Sequence, residues 1–133
     1  MPTPLQTPTD LADFPGVFLT TWSLTGRTYR FRFWPNTRSN DGGGAWYVDL
    51  AGSDGVASVV SVKLTITTDL FAAFRISVPE VPPGRIVVRR TDGVADEPRP
   101  TRKGEVGSRV ATLGSPLLVV EYVSPTEDRT ATG

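Results

Sequence analysis

The chain has no cysteine and no histidine. Their absence removes disulfides, thiolate chemistry, imidazole bases and the usual zinc and haem ligands together. Any catalysis would have to rest on carboxylates, Ser, Thr, Tyr or Lys. An excess of one charge is lacking too. The 14 basic and 14 acidic residues give a formal net charge of zero, so overall balance implies neither nucleic acid nor an anionic membrane as a partner. No apolar run approaches the roughly 20 residues that span a bilayer. Residues 1–14 are polar and Pro-rich where a secretion leader would be basic and then apolar. The expectation is a soluble protein with no secretion signal.

What is abundant is glycine, 13 residues, and proline, 12, and these fall between apolar segments in the manner of turns rather than in one tract. A chain of 133 residues suits a single domain, which at this size buries roughly two-thirds of the surface of the unfolded chain. No staples are needed for such a core.

Turn and strand signals are clearest over 42–66. Gly42, Gly43 and Gly44 lead into 45–50, where Trp46, Val48 and Leu50 share one face and Tyr47 and Asp49 take the other. Ser53, Asp54 and Gly55 have the chemistry of a tight reversal, and 58–66 resumes with Val60, Val62, Leu64 and Ile66 on one face. This predicts a β-hairpin with Trp46, Val48, Leu50, Val60, Val62 and Leu64 in the core. A second hairpin is predicted upstream. Phe18, Thr20, Trp22 and Leu24 alternate before Thr25 and Gly26. Tyr29, Phe31 and Phe33 then alternate with Arg30, Arg32 and Trp34 as far as Pro35 and Asn36.

Residues 1–14 carry Pro2, Pro4 and Pro8 and read as an extended arm whose docking groups are Leu5, Leu11 and Phe14. Thr67, Thr68 and Asp69 precede Leu70, Phe71 and Phe74, a spacing that predicts one short helix over 69–74, acting as a plug on one end of the sheets. The prolines at 79, 82 and 83 mark a stiff linker. A strand over 85–90 follows, with Ile86 and Val88 inward. Residues 92–104 read as an exposed loop, acidic at Asp96 and Glu97 and basic at Arg99, Arg102 and Lys103. A short strand is expected within 106–113. A last one, over 117–123, carries Leu118, Val120 and Tyr122 against Leu117 and Val119, the pattern of a central or covered strand. The sum is an all-β fold: a single antiparallel barrel or sandwich of about seven strands with one short helix. It divides into an arm over 1–14, a β domain over 15–124 and a flexible tail over 125–133.

Three arrangements invite a chemical reading. Asp49 and Asp54 resemble paired carboxylates for glycoside hydrolysis or calcium, but Asp54 before glycine is ordinary turn chemistry and Asp49 belongs on a solvent-facing strand position. The triple glycine lacks the lysine and helix of a phosphate-cradling loop. Arg30, Arg32 and Trp34 interleave cations with a ring as a single-stranded nucleic-acid binder would, yet alternation puts the other rings on the opposite face. Trp34 and Tyr47 would be the stacking rings of a carbohydrate- or receptor-binding sandwich, the main alternative reading. With no converging nucleophile and base, no enzyme, metal or cofactor is expected.

The order of features over 27–123 resembles the baseplate plug family of tailed phages. The residues that carry this are the glycine-led 45–50 strand, Ser53-Asp54-Gly55, Val62-Lys63-Leu64, Thr68-Asp69-Leu70-Phe71, Gly107-Ser108-Arg109-Val110 and Glu121-Tyr122. Ser61, Val62 and Lys63 depart from the family's usual Gly and Pro ahead of the leucine, and 1–14 and 92–103 look like additions to a compact family fold. The resemblance implies a structural virion protein of a baseplate or tail tip, assembled in the host cytoplasm and present in several copies in a ring, for example three. The partners it implies are the hub, the tube or tube initiator and the spike. Subunit contacts are expected at Leu5, Leu11, Phe14, Leu117, Val119, Arg89, Arg102 and Lys103, on exposed edges and two-sided apolar strands.

Overall fold

A computed structural model describes residues 3–5, 17–24, 26–38, 44–52, 57–66, 68–74, 81–93, 98–100, 110–113 and 115–124. The strands are β1 (Thr3–Pro4), β2 (Phe18–Leu24), β3 (Arg27–Asn36), β4 (Ala45–Ala51), β5 (Ala57–Lys63), β6 (Arg85–Arg90) and β7 (Leu118–Val123). They form two antiparallel sheets, one ordered β2-β3-β4-β5 and the other β1-β7-β6. The sheets share one core, in a sandwich-like all-β fold.

Period-two alternation decides which side chains meet. In β3, Tyr29, Phe31 and Phe33 are each at most 2% exposed, whereas Arg30 and Arg32 face out. Phe31 is the centre of this packing: its ring lies 4.6 Å from Trp22, 6.4 Å from Phe33 and 6.3 Å from Phe71. Burying each such ring contributes about 1.5–3 kcal/mol. Pro35 extends β3 beyond Phe33, the partner of Phe18 at the start of β2. The missing N–H of Pro35 therefore interrupts no β2–β3 pairing.

The opposite sheet has β7 at its centre, as its two-sided apolar pattern predicts, with Leu118, Val120 and Tyr122 buried. β1 pairs with the free side of β7, Thr3 opposite Tyr122 and Pro4 opposite Glu121, and the Leu5 N–H donates to the Val120 carbonyl at 2.8 Å. Gly84 sits where a Cβ would run into the Val123 carbonyl and the Tyr122 ring, and its N–H donates to the Tyr122 hydroxyl at 3.0 Å. Close backbone approach here requires glycine.

Four expectations are corrected. Residues 69–74 make only a single 3-10 turn, Ala72–Phe74, closed by the Ala72 and Phe74 N–H groups on the carbonyls of Asp69 and Phe71. Leu70 and Phe71 are nonetheless core residues, so the segment packs as a plug. In β5, Val60 is 60% exposed and Val59 is buried instead. The cause is a bulge. Val48 pairs with Val62 but Leu50 pairs with Val59, and Ser61 takes φ 59°, so the strand shifts face between them. Within 92–104, Pro98 and Pro100 are buried rather than exposed. The Pro100 ring lies over Gly44, whose φ of 88° and missing Cβ leave room for it, and the Arg99 N–H donates to the Ala111 carbonyl at 3.0 Å. Finally, of the strand expected within 106–113, residues 106–109 lie outside the described residues and 110–113 is a buried set of turns. Its Thr112 and Ser115 N–H groups bond the Val110 and Thr112 carbonyls.

That buried turn answers a need of Trp46. Its indole is 0% exposed and donates through Nε1 to the Thr112 hydroxyl at 2.8 Å, across 66 residues of chain. Thr112→Val strands this donor in the core, and we expect a loss of about 1–3 kcal/mol in urea denaturation, with Thr112→Ser losing less. The Tyr29 hydroxyl is in the opposite position, meeting no hydrogen-bond partner among the described residues. Burial pushes its pKa up; Arg27 partly offsets this and Tyr122 adds to it. A raised folded-state pKa contributes stability below the ordinary tyrosine value that is lost as pH rises through the folded value. Denaturation between pH 8 and 11 should therefore show stability falling above about pH 10. Tyr29→Phe should flatten that fall and cost little at pH 7.

Candidate interaction surface

Two outward faces remain once the core is closed, one on each sheet. On the β1-β7-β6 sheet the register sets Arg89 directly opposite Val119, with Val87 opposite Glu121. Arg89 reaches diagonally to Glu121, Nε to Oε1 at 2.6 Å, while its side chain stays 54% exposed. Leu117 precedes β7, half-buried, its carbonyl accepting the Thr91 N–H at 3.0 Å. Three of the expected contact residues, Leu117, Val119 and Arg89, thus occupy neighbouring positions. Leu5 belongs elsewhere, packed against this chain's own core. Leu11, Phe14, Arg102 and Lys103 lie outside the described residues, as do Gly42, Gly43, Ser53, Asp54, Gly55 and the 125–133 tail.

The outer face of β2–β5 is more elaborate. Its rows follow from register: Leu19 opposite Arg32 opposite Asp49, Thr21 opposite Arg30 opposite Ala51, and Trp34 opposite Tyr47 opposite Lys63. Asp49 binds three donors. Its Oδ1 accepts from Trp34 Nε1 at 3.1 Å and from the Ser61 N–H at 2.8 Å, and its Oδ2 accepts from Arg32 at 3.2 Å. The bulge at Ser61 is what turns that N–H outward to the carboxylate. Trp34 and Tyr47 stack on each other at 4.8 Å, and the Arg32 guanidinium lies 6.0 Å from the Trp34 ring.

This arrangement bears on the chemical readings. Asp49 is a structural acceptor whose two oxygens are occupied. Its carboxylate stands among Arg32 and Trp34, where a nucleic-acid phosphate would have to lie. The two rings that a sugar would use spend one face each on the other. Among the described residues no group of three Asp or Glu could hold a metal ion.

Beside this cluster lies a groove of about 600 Å³, lined by Leu19, Thr21, Arg30, Arg32, Asp49 and Ala51 among others. The three exposed large hydrophobic residues of the described chain all belong to this sheet or its margin: Val17 (50%), Leu19 (71%) and Val60 (60%). The contact residues expected from sequence are others: Leu117, Val119 and Arg89 on the other sheet, Leu5, Leu11 and Phe14 in the arm, and Arg102 and Lys103. The available signal was Val17 and Leu19, apolar at positions that alternate with Phe18, Thr20 and Trp22.

Asp49→Ala should release all three donors, lowering stability by about 1–3 kcal/mol in chemical denaturation. It should also shift the Trp34 contribution to fluorescence, with Asp49→Asn, which keeps one acceptor, falling between.

No curated protein matches the chain. A protein-family model described as cyanophage baseplate Pam3 plug gp18 matches residues 6–113. The span takes in most of the arm and all of 92–103, so the segments set apart above as additions fall within the region matched. Among the described residues no helix is long and apolar enough to cross a membrane. Two sheets closed on one core, with outward faces built from fixed side chains, suit a structural part, and the match covers most of the chain. The chain belongs to this family of phage baseplate plugs, with a structural role in the baseplate.

Proposed function

We propose that the protein is a rigid, non-catalytic plug that joins the hub at the distal end of the tail tube, in several copies around the tail axis. The family match over 6–113 carries this reading. The structure supports it physically. A sandwich-like core dominated by aromatic rings resists deformation, and the outward faces of both sheets carry apolar groups beside arginines, the composition of contact surfaces. Partners are the hub, the tube or tube initiator and the spike, met in the virion tail after assembly in the host cytoplasm. The contacts run through Leu117, Val119 and Arg89 on one sheet. Leu11, Phe14, Arg102 and Lys103 extend them, and Leu5 anchors the arm that carries Leu11 and Phe14.

Mixing the protein with the hub, tube-end and spike proteins encoded beside it, then sizing, should yield a co-migrating species. Val119→Glu should weaken that complex about tenfold or more. Failure of the unaltered protein to co-migrate with any of them would overturn the reading.

A further inference from the structure

The groove on the outer face of β2–β5 has a charge that no described residue answers. Asp49 is already held by Arg32, Trp34 and the Ser61 N–H. Arg30 is different. It is exposed, and among the described residues it has no ion-pair partner. Its neighbours across the sheet are Thr21 and Ala51, both small, so the guanidinium stands over a low floor, reachable from outside. One row away, Leu19 exposes 71% of its surface, with Val17 beyond it. The surface thus offers one unanswered cation and one apolar strip, about 7 Å apart along the strand direction, the spacing of residues i and i+2 in extended chain.

We propose that this groove docks an extended segment of another baseplate protein that carries an aspartate or glutamate two positions from an apolar residue. The carboxylate would sit on Arg30, which presents a planar fork suited to bidentate pairing, and the apolar side chain would cover Leu19. The fixed cluster around Asp49 forms the groove's wall and needs no rearrangement. A two-fold contact between copies of this chain would bring two Arg30 cations into one interface, while Asp49, the carboxylate that lines the groove, is already held by its own neighbours. The inference rests on the baseplate reading above and adds to it a particular surface and the chemistry of what lies there.

The test is photo-crosslinking in assembled tails, with p-benzoylphenylalanine placed at Leu19, at Val17 and, on the other sheet, at Val119. We expect crosslinks from 19 or 17 to a peptide of another tail protein that contains Asp or Glu beside an apolar residue. Arg30→Glu in the same background should cut their yield about tenfold, with Arg30→Lys, which keeps the charge but not the planar fork, falling between. Circular dichroism checks that the variants fold, and Arg30→Gln replaces Arg30→Glu if that variant does not. Crosslinks that map to a second copy of this chain, or a yield indifferent to Arg30, would overturn the inference. So would crosslinks from 119 with none from 17 or 19, and these last results would leave the baseplate reading standing. Absence of the protein from the tail would fell both.

Discussion

An indole cannot be sealed into an apolar interior without an acceptor for its N–H, and much of this fold answers that constraint at Trp46. The acceptor comes from Thr112, 66 residues away, which obliges the chain beyond β6 to return and lie against β4. Around that return the buried turn of 110–113 is organised, its own backbone groups satisfied by short-range bonds because it joins no ladder. Pro100 over Gly44 continues the same closure at the start of β4. The hairpin of β4 and β5 is thus held on its inner side by segments distant in sequence. A bond whose net contribution is modest, because it replaces bonds to water, is costly to leave unmade when buried.

Asp49 plays the corresponding part outside. One carboxylate ties β3 through Arg32 and Trp34 and β5 through the Ser61 backbone. The bulge would otherwise leave a twisted, weakly specified strand; the carboxylate fixes its outward N–H. Inner and outer faces of β4 therefore each have one polar anchor, Trp46 within and Asp49 without, and both sit on the strand that period-two reading made clearest.

Much of the β framework was legible in local chemistry. The alternation of Tyr29, Phe31 and Phe33 with arginines, and of Trp46, Val48 and Leu50 with Tyr47 and Asp49, is dictated by burial, and burial leaves a periodic trace. The two-sided apolar pattern of β7 likewise told of a central strand. What escaped was set by non-local geometry. Nothing in the run Ser58 to Val62 marks the residue at which the ladder gains an extra member, so Val60 was assigned to the wrong face. The burial of Pro100 depends on a glycine more than 50 residues earlier. The 3-10 turn at Ala72–Phe74 has a spacing that a longer helix would share. The outward groove was hidden for a related reason: Leu19 reads as one more apolar residue until register sets it beside Arg32 and Asp49.

The pairing of β1 with β7 sets what this edge of the sheet can accept. Since the Leu5 N–H turns inward to Val120, the residue before it turns its nitrogen outward, and that residue is Pro4. The outer rim of this sheet therefore lacks a donor at the point where a foreign strand would begin to pair. Addition of a further strand at this edge, the first step toward a fibre, is thereby disfavoured.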